Sequence, residues 1–241
     1  MTLLRAEVLW DSVPDRTTYP YAIPAVAALQ SLDLSAPVTF LVGDNGSGKS
    51  TLLEAIAICA GCNAEGGSRD LRFSNRRTES PLHEHLRLVW ERRPPWAFFL
   101  RAETFFDMAT QYEFEDAPTR DFSEPLEKLH QRSHGEQFID AAVVKFAPGG
   151  LHLLDEPEAA LSLHGQLKLL RRMHDLTERR AQFVVATHSP ILLAFPGARI
   201  YTFGDDGITD TAYEDAEPVA LTRSFLDAPE RFLRHLFDDE R

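Results

Sequence analysis

The chain has only two cysteines among its 241 residues and no long apolar run. Two thiols cannot build a disulfide framework, which favours a reducing compartment. No segment approaches the roughly 18 apolar residues that a membrane-spanning helix needs. The start, MTLLRAEVLWD, lacks the basic stretch and apolar core of an export signal. Cys59 and Cys62 form a C-x-x-C without a second ligand pair, so small, partly buried residues are expected there. A cytoplasmic protein without a membrane partner is predicted.

An excess of positive charge is also missing. The chain carries 25 Lys and Arg against 37 Asp and Glu, for a net charge of -12. A large sequence-independent nucleic-acid surface requires a basic face, which this balance does not indicate. Seven arginines do cluster, at Arg69, Arg72, Arg76, Arg77, Arg87, Arg92 and Arg93. Either a local basic patch or a solvated loop explains them.

A glycine-rich loop is the most informative feature that is present. Residues 43–50 read GDNGSGKS and match G-x-x-x-x-G-K-[ST] at every defined position. The apolar run 38–42 precedes the loop and the helix-forming run 51–58 follows it. Strand, glycine loop and helix in this order are the context of a phosphate-binding loop. The sequence therefore predicts a site for a nucleoside triphosphate.

The loop also predicts which groups contact the nucleotide. Backbone N–H groups and the helix N-terminus would face the phosphates. Lys49 would reach the β- and γ-phosphates, and the Ser50 hydroxyl would bind Mg²⁺. The predicted nucleotide-binding residues of the loop are Asn45, Gly46, Ser47, Gly48, Lys49, Ser50 and Thr51.

Two adjacent carboxylates follow a second apolar strand, which we predict over residues 151–155. Asp155, at the end of this strand, is expected to contribute to the Mg²⁺ shell beside Ser50. Glu156 points elsewhere and would accept a proton from the water that attacks the γ-phosphate. Separate roles for neighbouring acids favour a hydrolase over a phosphate-transferring kinase.

The sequence LLDEPEAALS, residues 153–162, resembles the extended Walker B motif and D-loop of ABC-type ATPases. Ser162 stands where transport ATPases usually carry Asp. After a further buried strand, residues 186–190 read ATHSP and resemble the switch-histidine motif. By this resemblance, His188 contacts the γ-phosphate and is catalytic, together with Lys49 and Glu156.

Three further assignments come from the same resemblance. Residues 132–137, RSHGEQ, have the S-x-G-E form of the signature motif of SMC, RecF and OLD-type ATPase heads. It implies that Ser133 and Gly135 bind the γ-phosphate held by a partner subunit. Glu103 takes the place of the Q-loop glutamine, as a metal or water contact. Tyr19 or Tyr21 is the candidate for stacking on adenine.

Strands alternating with helices predict an α/β fold with a mainly parallel sheet. The chain resembles a small stand-alone bacterial ABC-type or AAA-family ATPase, with an SMC- or RecF-like head and no coiled coil. This implies one ABC-type P-loop domain over residues 1–241, its sheet flanked by helices with small antiparallel and helical additions. An irregular, partly helical insertion at about 61–135 would carry the signature motif at its end.

The function that this resemblance implies is Mg²⁺-dependent ATP hydrolysis coupled to dimerisation. A head-to-tail homodimer would sandwich two ATP molecules, because one subunit alone lacks the signature donors. Two alternatives stay open, namely the ATPase subunit of a membrane transporter and a DNA-repair or phage-defence ATPase. A further protein partner also stays open. ATP is expected over GTP, since no guanine-reading N-K-x-D occurs.

Overall fold

The computed structural model describes residues 2–63, 80–102 and 146–238. Within these ranges, nine strands form two sheets and six α-helices accompany them. No helix in this part of the chain is long and apolar enough to span a membrane. The strands are β1 Leu3–Val8, β2 Ser31–Asp33, β3 Val38–Gly43, β4 Leu86–Trp90, β5 Ala97–Arg101, β6 Leu151–Asp155, β7 Gln182–Ala186, β8 Arg199–Gly204 and β9 Gly207–Asp210. The helices are α1 Pro24–Ala27, α2 Lys49–Ala60, α3 Leu163–Thr177, α4 Pro190–Leu193, α5 Glu217–Asp227 and α6 Pro229–Asp238.

The main sheet has the strand order β5-β6-β7-β3-β8-β9. All neighbours run parallel except β8 and β9, which form an antiparallel hairpin. The central strands β3, β6 and β7 are buried along their whole length, as a parallel sheet covered on both faces requires. Both Leu41 and Asp155 pair with Ala186. The segments that follow β3, β6 and β7 therefore meet where these parallel strands end, at the carboxyl-terminal side of the sheet, which is called the sheet edge below.

Helix α2 lies between the two sheets. The smaller sheet is antiparallel, with the order β2-β1-β4. Leu52, Leu53 and Ile56 of α2 are fully buried and belong to one apolar cluster with Leu3 of the small sheet and Leu153 of the main sheet. Because α2 is covered from two sides, it is apolar around most of its circumference rather than amphipathic. This placement fixes the helix that begins directly after the glycine loop.

The opposite face of the main sheet is covered mainly by α3. Leu169 and Met173 of this helix pack with Phe40 and Phe183 of the sheet, all almost fully buried. In contrast to α2, α3 has one apolar and one polar side, because its outer face meets solvent. The main sheet thus has helices on both faces, and the predicted α/β fold class is confirmed.

One buried side chain joins the two sheets directly. The Gln182 Oε1 atom at the start of β7 accepts a hydrogen bond from Leu3 N at 2.7 Å, and its Nε2 donates to Leu3 O at 3.0 Å. The same amide also donates to Leu34 O and to Ala36 O. A buried amide is costly unless its hydrogen bonds are made, so these contacts fix the position of Gln182.

Local contacts set the ends of two elements. Strand β1 ends at Val8, and Trp10 leaves the sheet in a short 3-10 turn and donates from Nε1 to Leu29 O. Helix α3 spans Leu163–Thr177. Ser162 caps its start by accepting from Gly165 N at 3.2 Å, and Arg180 has a left-handed φ of 64°.

The expected insertion at about 61–135 contains regular structure in the part that the structure describes. Residues 80–102 form β4, an edge strand of the small sheet, and β5, an edge strand of the main sheet. Residues 64–79 and 103–145 lie outside the described ranges. That the chain forms one domain stays a prediction.

The glycine that ends β3 gives a test of this packing. Gly43 has a φ of +144°, and a Cβ atom there would lie 2.4 Å from Phe203 O of β8. We expect Gly43→Ala to reduce the free energy of unfolding by about 3 kcal/mol in denaturant titrations, because strain and overlap add. Gly149→Ala is the control, since Gly149 also has a positive φ of +68° but no atom within 4 Å of the added Cβ. It should cost about 1 kcal/mol. Equal losses would contradict close packing against β8.

Candidate functional site

The glycine loop runs from the end of β3 to the start of α2. Gly46 and Gly48 have φ angles of 82° and 101°, in the left-handed region that glycine tolerates best. Asn45 and Gly46 are exposed, whereas Ser47 is half-buried and Gly48 is buried. The loop leads into the first turn of α2, so the positive end of the helix dipole lies at the loop. This backbone has the form of an anion-binding site.

Lys49 is buried in the loop that it follows. Its Nζ donates to the carbonyl oxygens of Gly43 and Asp44, the latter at 2.8 Å. Burial lowers the pKa of Lys49, although the carboxylates of Glu156 and Asp155 act in the opposite direction. The ammonium group therefore lies between the glycine loop and the acidic residues after β6.

Ser50 and Asp155 meet although 105 residues separate them in sequence. The Ser50 hydroxyl donates to Asp155 Oδ1 at 2.8 Å. The contact forms because α2 begins at the same sheet edge where β6 ends. A hydroxyl and a carboxylate oxygen form a hard-oxygen pair of the kind that Mg²⁺ prefers. The sequence predicts both residues as Mg²⁺ ligands, and the structure places their side chains in contact.

Arg101 is a member of the site that the sequence reasoning missed. At the end of β5, its Nε donates to Asp155 Oδ2 and its Nη2 to Glu54 Oε2, both at 3.0 Å. Burial disfavours the charge, but the carboxylates of Asp155 and Glu54 outweigh it and raise the pKa of Arg101. In the sequence, the one signal for this contact is a charged residue at the end of an apolar strand. The contact itself arises because β5 and β6 are adjacent and Arg101 lies opposite Asp155.

Glu156 has an unusual backbone conformation. Its φ of 49° and ψ of 50° are left-handed, which is uncommon for a residue with a side chain. Strained backbone of this kind is concentrated at functional sites. Glu156 Oε1 lies 3.9 Å from His188 Nε2, and each side chain is 37% exposed. The predicted base and the predicted switch histidine therefore face each other at the open side of the sheet edge.

Two buried contacts connect the residues after β6 with those after β7. Glu158 Oε1 accepts a hydrogen bond from His188 N, and burial raises the pKa of Glu158. The Ser189 hydroxyl donates to Gln166 Oε1 on α3. The sequence reasoning did not identify Glu158 or Gln166 as part of the site. Their contacts hold the segment that carries His188 against the segment that follows Glu156.

The structure distinguishes the two tyrosine candidates for adenine. Tyr21 is almost fully buried, lies edge-on to Trp10 and His85, and donates from its hydroxyl to Pro81 O. Tyr19 is 62% exposed, and its hydroxyl lies 3.2 Å from Thr51 Oγ1 in the first turn of α2. Only Tyr19 offers a free ring face beside the glycine loop.

Other predicted residues are absent from the described ranges. Glu103, Ser133 and Gly135 all fall within residues 103–145. Their assignment to the metal and the nucleotide stays a prediction. Burial raises the pKa of the Cys59 thiol to about 11, so this thiol is protonated at neutral pH.

The residues present fit Mg²⁺ bound together with a triphosphate. Among the described residues, no group of three or more His, Cys, Asp or Glu side chains could hold a metal ion without further ligands. Mg²⁺ in phosphate-transfer sites is held by one or two carboxylates while phosphates and waters supply the remaining oxygens. Ser50 and Asp155 match this requirement.

Two family models match parts of the chain. One is described as an AAA domain and matches residues 26–87. The other is described as "AAA domain, putative AbiEii toxin, Type IV TA system" and matches residues 137–194. The first range contains the glycine loop, and the second contains Asp155, Glu156 and His188. A curated relative from Methanothermobacter thermautotrophicus, named "Putative ABC transporter ATP-binding protein", is 24% identical over 83% of this chain and 77% of the relative.

Two solved structures share the fold. An ATP-binding cassette of an ABC transporter in its ADP conformation superposes with a TM-score of 0.50 at 14% identity, covering 90% of this chain and 94% of that chain. The protein cbiO1 from Clostridium perfringens, part of the ABC transporter complex cbiONQ, gives a TM-score of 0.50 at 16% identity and covers 98% and 99%. At these identities the likeness shows the fold.

The chain thus shares its fold with ATP-binding cassettes and has the strand, glycine loop and helix of a P-loop protein. One AAA model matches the range with the glycine loop, and the other matches the range with the paired acids and the histidine. These matches and the shared fold agree with the predicted resemblance to AAA- and ABC-type ATPases, with the predicted fold and with the prediction that the chain is an ATPase.

The exposed ring of Tyr19 gives a test of nucleotide contact. We expect Tyr19→Ala to weaken ATP binding about tenfold, because stacking between a base and an aromatic ring contributes roughly 1–3 kcal/mol. Tyr19→Phe is the control, since it keeps the ring and loses only the hydroxyl contact with Thr51. Its affinity should stay close to that of the unmodified protein in calorimetric titrations. Unchanged binding by the alanine variant would exclude Tyr19 as the stacking residue.

Proposed function

We propose that this ATPase uses Mg²⁺ and works as a switch that dimerises when ATP binds. The observation that carries the proposal is the convergence of Lys49, Ser50, Asp155, Glu156 and His188 at one sheet edge. These residues supply a cation for phosphate, two oxygens for a metal, and a base beside a histidine. The set fits hydrolysis of a phosphoanhydride by water.

The contacts of each side chain support a particular role in hydrolysis. Lys49 exchanges its carbonyl partners for phosphate oxygens, which are stronger acceptors because they are charged. Ser50 and Asp155 would hold Mg²⁺, and the ion would supply positive charge that neutralises the phosphates. Glu156 accepts the proton of the attacking water, and His188 orients that water and contacts the γ-phosphate.

The dimer follows from what a single site requires. A leaving phosphate needs donors on the side opposite the glycine loop. In the sequence, Ser133 and Gly135 of a second subunit are the candidates for these donors. Glu156 and His188 are each partly exposed, with 37% of the side chain accessible, which leaves room for contact with a second copy there. The order of the switch is then ATP binding, closure of two copies, hydrolysis and release.

A transporter subunit is the first alternative. The relative from Methanothermobacter thermautotrophicus is named as an ABC transporter ATP-binding protein, and cbiO1 is part of a transporter complex. These names favour a chain that drives a membrane partner. Under this alternative the same ATP site would operate, and the partner would differ.

A defence-associated ATPase is the second alternative. The match over residues 137–194 is to an AAA domain described in connection with an AbiEii toxin. Direct action on nucleic acid is less well supported by charge, since the net charge is -12. Arg87, one of the clustered arginines that the structure describes, is paired with Glu7 rather than free. The pairing of Arg87 thus gives no support for a DNA contact at this residue.

The switch is tested by slowing the chemistry while binding is kept. Glu156→Gln removes the proposed base but keeps the size of the side chain, so ATP and Mg²⁺ should trap a dimer. Light scattering should then report twice the 27.2 kDa mass of the chain. Phosphate release should fall about a thousandfold, consistent with the loss of general-base catalysis.

The double variant Glu156→Gln, Lys49→Ala is the control, because it lacks the phosphate-binding ammonium group. It should remain a monomer at every ATP concentration. A single variant that stays monomeric while it binds ATP would show that the switch is wrong for this protein, although the ATPase assignment would stand.

A further inference from the structure

Arg101 divides the two oxygens of the Asp155 carboxylate between two tasks. Oδ1 accepts from the Ser50 hydroxyl at 2.8 Å, on the side of the glycine loop. Oδ2 accepts from Arg101 Nε at 3.0 Å, on the side of β5. Asp155 is almost fully buried, so its carboxylate has little freedom to turn. A cation that arrives beside Ser50 therefore meets one oxygen of Asp155 and not both.

Glu54 keeps Arg101 in this position. It lies one helical turn after Ser50 in α2, and its Oε2 accepts from Arg101 Nη2 at 3.0 Å. Its other oxygen, Oε1, accepts from Ser80 N at 3.1 Å, so the Glu54 side chain is itself anchored. The aliphatic and guanidinium parts of Arg101 are largely enclosed, with 21% of the side chain exposed. The guanidinium is thus held beside Asp155 Oδ2 by hydrogen bonds to β6 and to α2.

Divalent cations differ in how they use a carboxylate. Ca²⁺ takes six to eight oxygens at about 2.3–2.6 Å and often binds both oxygens of one carboxylate. Mg²⁺ takes six at about 2.0–2.1 Å in octahedral geometry and usually binds one carboxylate oxygen along with waters and phosphates. A carboxylate with one oxygen blocked by an arginine therefore suits Mg²⁺ and disfavours Ca²⁺.

We propose that Arg101 determines the cation specificity of the nucleotide site by confining Asp155 to a single metal-facing oxygen. The inference rests on the proposed binding of ATP with Mg²⁺ at Ser50 and Asp155. For two-oxygen binding, Ca²⁺ must displace Arg101 from Oδ2. The displaced guanidinium would keep Glu54 as a partner but lose half of its paired charge in a largely enclosed place, which is costly. Its positive charge also repels a cation that approaches Oδ2.

The test compares nucleotide binding with two cations, without any need for hydrolysis. The dissociation constant of a fluorescent, non-hydrolysable ATP analogue is measured for the full chain in excess Mg²⁺ and in excess Ca²⁺. The unmodified protein should bind the analogue more tightly with Mg²⁺. In Arg101→Gln, the ratio of the Ca²⁺ constant to the Mg²⁺ constant should fall about tenfold, the size of effect expected when a partner of a metal ligand is lost.

Glu54→Gln is the matched comparison, because it removes a charge and one acceptor from the same cluster but leaves the contact between Arg101 and Asp155. Arg101 is then held less firmly, so the ratio should fall less than in Arg101→Gln. An equal fall in both variants would overturn the proposal by showing that the cluster acts only through packing. Arg101→Lys keeps the charge but contacts one carboxylate at a time, so its ratio should fall by about threefold. An unchanged ratio in a folded Arg101→Lys or Arg101→Gln protein would also overturn the proposal. Failure of the unmodified protein to bind the analogue with either cation would instead contradict the proposed function.

Discussion

The Asp155 carboxylate receives the Ser50 hydroxyl at 2.8 Å on one oxygen and the Arg101 guanidinium at 3.0 Å on the other. These contacts join the helix after the glycine loop, the edge strand β5 and the central strand β6. An almost fully buried carboxylate is stable only when its oxygens are paired, so the three elements are held in one arrangement. The same pairing lies where we propose that a metal and phosphates bind.

A second set of contacts surrounds Glu156 and His188, the proposed base and switch histidine. Glu158 accepts from His188 N, and Gln166 accepts from the Ser189 hydroxyl, so the residues after β6 and after β7 are held next to each other. Glu156 has a left-handed backbone conformation, and its carboxylate lies 3.9 Å from His188 Nε2. Of the proposed metal ligands, Asp155 is buried and Ser50 half-buried, whereas the side chains of Glu156 and His188 are each 37% exposed. This difference in exposure is consistent with the proposed dimer, in which a second subunit would complete the site on the side of Glu156 and His188.

The parts of the site that the sequence predicted are those carried by short patterns. The glycine loop and the Asp155–Glu156 pair each combine a buried strand with a fixed set of residues, so their placement follows from chain direction. Arg101 could not be assigned in this way, since its contact depends on β5 lying beside β6 in a particular register. Likewise, the sequence alone could not distinguish Tyr19 from Tyr21 as the candidate for adenine stacking, because the difference is the burial of the Tyr21 ring in the core. Sequence predicts the elements well, whereas side-chain contacts between distant elements require the fold.

The most direct test of this account is a crystal structure of Glu156→Gln with ATP and Mg²⁺. The account predicts triphosphate in the loop of residues 43–50, with Mg²⁺ beside the Ser50 hydroxyl and Asp155 Oδ1. It also predicts that Arg101 still donates to Asp155 Oδ2. A nucleotide bound elsewhere, or a metal shell that excludes both Ser50 and Asp155, would contradict the central role given to this carboxylate.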